Sequence, residues 1–292
     1  MTLPEYRALV DERLDQLLPD GDLVLHKAMR YSALAGGKRL RPSMLLAAVD
    51  MLSGDRDEAL DFACAVEMIH AYSLIHDDLP GMDDDQLRRG KPTNHVVFGV
   101  RVAILAGDGL LNFAFEVMLE RALRFPGRER ACLLAISEIA RGAGVSGMIA
   151  GQCLDLEAGR GIAAENYEAM LEEIHAGKTA AMFVGALRAA ARLSGANETE
   201  LSALTEYARA FGMLFQATDD ILDVVGSAPE VGKTIGKDER SGKLTYASVY
   251  GVDGARGRAL NLRDRAVGAL GPFGARAALF QKLAESLIDR TN

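Results

Sequence analysis

Two groups of aspartates are the residues of this 292-residue chain best suited to chemistry. The first runs Asp77-Asp78-Leu79-Pro80-Gly81-Met82-Asp83-Asp84-Asp85, and the second Asp219-Asp220-Ile221-Leu222-Asp223. Each closes an otherwise apolar, helix-patterned segment. Carboxylates crowded at the end of a core helix repel one another and are costly to desolvate. A hard divalent cation removes that objection, because Mg2+ and Ca2+ prefer oxygen ligands. Asp219 and Asp223 lie four residues apart and so share one helix face. Phe211, Leu214, Phe215 and Ala217 before them are core-like, which argues against a merely solvated acidic face. In the first group Asp77 and Asp78 complete a helix, Pro80-Gly81 interrupts it, and three more carboxylates follow. Not all five can ligate one ion, and their spacing is not that of an EF-hand. An acidic loop or a loose Ca2+ site is the alternative there.

Cations decide between these readings. Gly36-Gly37-Lys38-Arg39-Leu40-Arg41-Pro42 puts three positive charges in a glycine-started loop before a helix, with Pro42 suited to its first turn. Backbone N–H groups at a helix start, together with Lys and Arg, make an anion site, and diphosphate is the natural guest. Arg88-Arg89-Gly90-Lys91 follows the first aspartate group, Lys233 and Lys237 follow the second, and Lys178 sits in Gly177-Lys178-Thr179. Acid and base concentrated together in a protein of net charge −8 imply a cavity for metal-bound phosphates. The remaining cations would serve a second phosphate group that takes no metal. His70, seven residues before Asp77, lies on the same helix face two turns away. It is either a ligand-binding side chain or a satisfied core histidine. His76 beside Asp77 raises a phosphohydrolase reading, but His26, His95 and His175 add no supporting pattern.

The elements that must position these residues read almost entirely as helix. The 3.6-residue apolar period runs through a first helix carrying Leu9, Leu14, Leu17 and Leu18, then through 22–35, 42–52, 57–78, 94–124, 127–157, 164–195, 198–226, 243–250, 252–270 and 273–290. Stops fall at Gly36-Gly37, Ser53-Gly54, Pro126-Gly127, Ser194-Gly195 and Gly271-Pro272. Strand-like alternation is nearly absent. The 180–191 segment is apolar most of the way round, as in the middle of a large helical assembly. No linker divides the chain, so one large all-α domain over 1–292 is expected. Hydrophobic residues make up 49%, enough for a real core. The acidic balance disfavours nucleic acid as a partner. Cys64, Cys132 and Cys153 suit neither a zinc site nor a disulfide framework, which fits a reducing compartment. The start lacks the charged and apolar regions of a signal peptide. No uninterrupted apolar run reaches the length of a membrane span. A cytoplasmic protein is expected.

At Gly36–Pro42, Glu67–His95, Gly107-Asp108, Gly177-Lys178-Thr179, Phe215–Asp223 and Gly232–Asp238 the chain resembles the trans-isoprenyl diphosphate synthases, the bacterial farnesyl diphosphate synthases in particular. The resemblance runs through essentially the whole chain. It implies an all-α fold with helices around a deep central cavity, and a homodimer. It implies that Asp77, Asp78 and Asp83 form a first aspartate-rich motif and Asp219, Asp220 and Asp223 a second. Three Mg2+ ions, ligated chiefly by Asp77, Asp83 and Asp219, would clamp an allylic diphosphate (dimethylallyl or geranyl). Arg88, Lys178 and Lys237 would help hold that group, with Lys233 nearby. Lys38, Arg41, His70 and Arg89 would hold the metal-free diphosphate of isopentenyl diphosphate, and Thr179 and Gln216 would face a developing allylic cation. Gln86 departs from the family, where many relatives carry another acid; Asp84 and Asp85 remain beside it.

The chemistry so implied is ionisation of the allylic carbon–oxygen bond, attack by the double bond of isopentenyl diphosphate, and loss of a proton to the released diphosphate. Charge on the departing group is stabilised electrostatically, and proximity and a dry cavity do the rest. Helix geometry places Ser73 most directly below the Asp77 end and Tyr72 to one side. The resemblance implies that an aromatic residue at the position of Tyr72 blocks growth at fifteen carbons; an ordinary core tyrosine is the alternative. Competing readings are a geranylgeranyl diphosphate synthase, a terpene cyclase and a catalytically silent regulatory subunit. A cyclase has no use for a second aspartate-rich motif with Lys38, Arg41 and Arg89. A silent subunit should have lost ligands. The segment Ala284–Arg290 reads as a closing helix.

Overall fold

The computed structural model describes residues 1–158, 167–225 and 243–289. Helices α1 (Leu3–Leu17), α2 (Val24–Ala33), α3 (Leu40–Met51) and α4 (Arg56–Asp77) come first. A two-stranded hairpin follows, β1 (Leu87–Arg88) antiparallel to β2 (Lys91–Pro92). Then come α5 (Asn94–Phe98), α6 (Val100–Arg124), α7 (Glu129–Ala143), α8 (Met148–Ala158), α9 (Tyr167–His175), a π turn (Ala176–Ala180), α10 (Ala181–Leu193), α11 (Glu198–Val225), α12 (Tyr246–Ala269), a 3-10 segment (Gly271–Ala277) and α13 (Ala278–Asp289). The all-α class expected from the periodicity is what the chain adopts.

Local chemistry explains the boundaries. The side chain of Asp55 accepts the N–H groups of Asp57 and Glu58 at 2.9 and 3.1 Å and so caps α4. Asp57 and Glu58 in its first turn complement the helix dipole. Thr245 and Ser248 cap α12 reciprocally. Three expected helices are interrupted. Gly99, at φ +83°, divides 94–124. A turn at 144–147 divides 127–157, and the π turn divides 164–195. Periodicity alone does not see such breaks, because apolar residues at helical spacing continue on both sides of them.

The fold groups into two compact units: Met1–Ile136 with Arg192–Gly195, and Ser137–Ala191 with Ala196–Asn292. No linker marks the division; its first boundary falls inside α7. In the first unit α4 is buried along most of its length, with Phe62, Met68, Ile69 and Ile75 in the core. Buried Glu58 pairs with Arg128 at 2.9 Å. In the second unit Phe183, Tyr207, Phe211 and Phe280 make edge-to-face and stacked contacts at 5.2–5.6 Å, and the Tyr207 hydroxyl donates to the Phe280 carbonyl at 2.8 Å. Helix α6 and the Glu129–Ala158 segment have the length and mean hydropathy (1.6 and 1.4) of membrane spans. Averaging passes over the charges that interrupt them, and 39% and 44% of their most apolar windows are buried in the protein.

Candidate active site

In the first unit the end of α4 carries Asp77, and the loop after it folds straight back. The N–H of Asp83 donates to the carbonyl of Asp77 at 2.8 Å, so the two residues meet across the Pro80-Gly81 break. Gly81 (φ +95°) and Asp84 (φ +47°) supply the left-handed conformations this reversal needs. Asp78 points elsewhere. Its buried carboxylate takes three bonds of 2.6–2.9 Å from Arg88 on β1. Burial raises the Asp78 carboxyl, and Arg88 opposes that shift. Asp78 and Arg88 therefore lock the hairpin to α4.

The hairpin then delivers Arg89. Its two-residue turn is Arg89-Gly90, with φ of +53° and +75°, the double left-handed conformation of a tight hairpin turn. Gly90 adopts it freely, whereas Arg89 does so at a cost, as residues at working sites often do. The Arg89 guanidinium donates to the Gly36 carbonyl. It lies so close to Gly37 that a side chain there would meet it at 2.6 Å. The glycine loop and Arg89 are thus brought together. Arg39, buried and left-handed at φ +47°, anchors that loop through Glu67 (2.6 Å), Asp11 (2.8 Å) and the Ala33 carbonyl (2.7 Å). His70 lies within the resulting field. Its imidazole is held well below its ordinary range, first by burial and then by Arg41, Arg89, Arg88 and Arg39. The Arg89 guanidinium is pulled down too, by burial and by Arg39 and Arg88, with Glu67 opposing. Against burial, Arg39 and Arg88 are held up by their carboxylate partners, but Arg89 and His70 both lie in the field of neighbouring guanidinium groups, and such a convergence of positive charge is an anion site. Beside it a cavity of about 40 Å3, lined by Arg39, Glu67, Asp78, Arg88 and Arg89 among others, has room for ordered water.

Tyr72 is 5% exposed and packs edge-on to His76 at 5.7 Å. Burial pushes its phenol up to about 12, and the Asp77 carboxylate adds to the shift, so the ring lies near the Asp77 end of α4. The Ser73 hydroxyl turns back to the His70 carbonyl at 2.9 Å. His76 packs over Gly107, where any Cβ would sit 2.1 Å from its Nε2, and reaches the Ile104 carbonyl at 3.1 Å.

In the second unit the π turn carries Lys178 and Thr179. Gly151 and Gly212 let it approach: a Cβ on Gly151 would meet the Lys178 nitrogen at 2.0 Å, and one on Gly212 the Ala180 Cα at 2.5 Å. Lys178 Nζ donates to Asp155 at 2.6 Å. The Thr179 hydroxyl donates to Gln216 Oε1 at 2.9 Å, and Gln216 Nε2 donates to Asp220 at 2.8 Å. The other Asp220 oxygen accepts the N–H of Tyr246 at 2.8 Å. Asp219 and Asp223 stand one turn apart on α11, as their spacing requires. His175 is buried 3.9 Å from Asp220, too far for a hydrogen bond. Burial lowers its imidazole to about 4, against Asp155 and with Lys178. Lys233 and Lys237 lie outside the described residues.

With this geometry established, comparison with known proteins is decisive. The profile of the polyprenyl synthetase family matches residues 22–266. The chain belongs to the polyprenyl synthetase family. It is 48% identical over 259 residues to a chloroplastic geranylgeranyl pyrophosphate synthase of Catharanthus roseus, covering 89% of this chain and 71% of the relative. It is 40% identical over 296 residues to a dimethylallyltranstransferase of Fischerella ambigua, covering 99% and 84%. Among solved structures, an FPP/GFPP synthase from Zymomonas mobilis superposes with a TM-score of 0.86 at 34% identity, covering 98% and 97%. A geranyltransferase from Legionella pneumophila does so with 0.86 at 32%, covering 99% and 96%. As a member of this family the chain is a prenyltransferase that elongates prenyl chains head to tail, using isopentenyl and allylic diphosphates.

Some residues of this polyprenyl synthetase escaped the sequence reading. Asp155 is one of two acids, with Glu157, near the end of an otherwise apolar helix, and nothing local singles it out as the partner of Lys178. Arg39 was counted with the loop cations but is a buried tie. Thr93 and Asn94 pin the far end of the hairpin: the Thr93 hydroxyl donates to the Asp85 carbonyl (2.7 Å), and Asn94 to the Ala28 carbonyl (2.9 Å) and Ser32 (2.8 Å).

Proposed function

We propose that this prenyltransferase is a farnesyl diphosphate synthase, condensing isopentenyl diphosphate with dimethylallyl and geranyl diphosphates and releasing a fifteen-carbon product. The observation that supports the product assignment is the buried Tyr72 ring beside Asp77. A chain growing down from the carboxylates along α4 would meet that ring. The second reading, a twenty-carbon geranylgeranyl product, is favoured by the names of the plant relatives at 46–48% identity. Incubation of the purified protein with Mg2+, isopentenyl diphosphate and geranyl diphosphate, followed by chromatography of the dephosphorylated products, tests the proposal. Farnesol is expected, and geranylgeraniol as the main product would overturn it.

Asp77 and Asp83 in the first unit, and Asp219 and Asp223 in the second, each offer hard oxygen donors that fit Mg2+. Among the described residues no three His, Cys, Asp or Glu side chains form a metal cage by themselves. That suits Mg2+, which is usually held by one or two carboxylates together with substrate phosphates and water. Bound there, the ions would neutralise charge developing on the departing diphosphate. Arg89, with Lys38, Arg41 and neutral His70, would hold the isopentenyl diphosphate. Thr179 and Gln216 would present oxygen to the allylic cation, and apolar walls would exclude water from it. The released diphosphate would take the final proton. We further propose a homodimer. Val96, Val97, Val100, Ile104 and Leu105 expose apolar surface on α5 and α6, and a second copy is the partner that a symmetric enzyme would place there. Leu105→Glu is expected to halve the mass in solution by light scattering; an unchanged mass would refute this assignment.

A further inference from the structure

Asp220 belongs to the second aspartate-rich motif, yet both of its oxygens are occupied within the protein. One accepts the backbone N–H of Tyr246 at 2.8 Å, and the other accepts Gln216 Nε2 at 2.8 Å. Tyr246 opens α12, and the residue is 2% exposed. A backbone N–H can only donate, and a carboxylate accepting two N–H groups presents no proton of its own. The next link is therefore forced. Gln216 must turn its NH2 toward Asp220 and its carbonyl oxygen toward Thr179. Thr179 Oγ1, 2.9 Å from that oxygen, must then spend its only proton on Gln216. The direction of the whole line, Tyr246 N–H to Asp220 and Thr179 O–H to Gln216 to Asp220, is set at the carboxylate.

We infer that Asp220 is a positioning residue: by fixing the Gln216 amide it keeps the Thr179 hydroxyl proton turned inward, so that only oxygen lone pairs are offered to the substrate. This rests on the prenyl-transfer reading, in which Thr179 faces a developing allylic cation. A hydroxyl whose proton is held by a strong acceptor presents a more negative oxygen, and successive bonds polarise one another. Asp220 is 3% exposed, so solvent does little to screen its influence along the line. The π turn completes the arrangement by carrying Thr179 to Gln216, and Gly151 and Gly212 leave the space for it.

Asparagine at position 220 would invert the line. Its carbonyl oxygen would still accept from Tyr246, leaving its NH2 toward Gln216. The Gln216 amide would then flip and donate to Thr179, whose proton would turn outward against the cation. Adding Gln216→Glu to that variant restores the direction, because a glutamate accepts from both Asn and Thr. The assay is steady-state condensation of geranyl and isopentenyl diphosphates with Mg2+, with melting curves on every variant. Asp220→Asn is expected to lower kcat about a hundredfold, the scale of one misplaced site dipole. KM for both diphosphates and the Mg2+ concentration at half-maximal rate should stay within about threefold. Asp220→Asn/Gln216→Glu is expected to recover at least about tenfold of the loss. Gln216→Leu, which breaks the line without touching Tyr246, should lose at least that factor, because it also withdraws the Gln216 oxygen from the cation; if Asp220→Asn fails to fold, full activity in Gln216→Leu is the result that overturns the inference. A loss in Asp220→Asn cured by excess Mg2+ would make Asp220 a metal ligand and overturn the inference. So would a double variant no better than Asp220→Asn, or a fully active Gln216→Leu. An unaltered chain that folds but forms no condensation product would instead overturn the prenyl-transfer reading itself.

Discussion

On the proposed fifteen-carbon assignment, replacing Tyr72 by alanine should give products of twenty carbons and more. Tyr72 lies five residues before Asp77 on α4, about 7.5 Å along the helix axis from the carboxylate end. Its side chain is 5% exposed, so the ring fills space rather than lining solvent. Truncation removes the phenol ring and its hydroxyl, more volume than a five-carbon unit occupies. Burying five further carbons is worth up to about 4 kcal/mol at about 0.8 kcal/mol per carbon. That corresponds to about a thousandfold in relative kcat/KM for farnesyl diphosphate as the allylic substrate. The substitution also removes a buried aromatic, at a stability cost of about 3–5 kcal/mol, so Tyr72→Met, which retains more volume, is the companion variant. The assay measures kcat/KM for geranyl and farnesyl diphosphates and identifies products after dephosphorylation. Tyr72→Phe keeps the ring and should keep the fifteen-carbon product. A folded Tyr72→Ala enzyme that still stops at fifteen carbons would refute the reasoning.

Three other outcomes are expected. Asp77→Ala and Asp219→Ala should each lower kcat by several orders of magnitude, on the scale of about 3–6 kcal/mol in the barrier, with melting temperatures near that of the parent; near-normal rates would remove these residues from the metal sites. Gly151→Ala should displace Lys178 and the π turn, because its Cβ would meet the Lys178 nitrogen at 2.0 Å; activity should fall and stability should drop by about 1–3 kcal/mol in urea titration. Arg88→Ala should leave the buried Asp78 carboxylate without the three bonds Arg88 gives it, at about 3–5 kcal/mol for a fully buried pair and less here because Arg88 is a third exposed; an unchanged melting temperature would count against the hairpin lock.

The helical class, the ends of α4 and α11 and the residues around the two aspartate groups were legible in sequence because they rest on local spacing. Four residues make a helix turn wherever they occur, so Asp219 and Asp223 share a face. The partners that divide labour within each motif were not legible, because long-range packing sets them. Nothing local distinguishes Asp78, tied to Arg88 on the hairpin, from Asp77 beside it. Nothing local marks Asp220 as the acceptor for the start of α12. The hairpin itself was missed because two-residue strands carry no alternation, although Arg89-Gly90 is a readable turn. The π turn at Lys178 was hidden by an unbroken apolar period, and the glycines that admit it matter only through what lies opposite them.

The central claim is that this prenyltransferase accepts a ten-carbon chain and stops after one addition. Its most direct test is the ratio of kcat/KM for geranyl over farnesyl diphosphate, each condensed with isopentenyl diphosphate by the unaltered protein at saturating Mg2+. With the Tyr72 ring in place the ratio should exceed about a hundred, since excluding the buried five-carbon unit is worth at least about 3 kcal/mol. A ratio near one, with geranylgeranyl diphosphate accumulating, would contradict the claim.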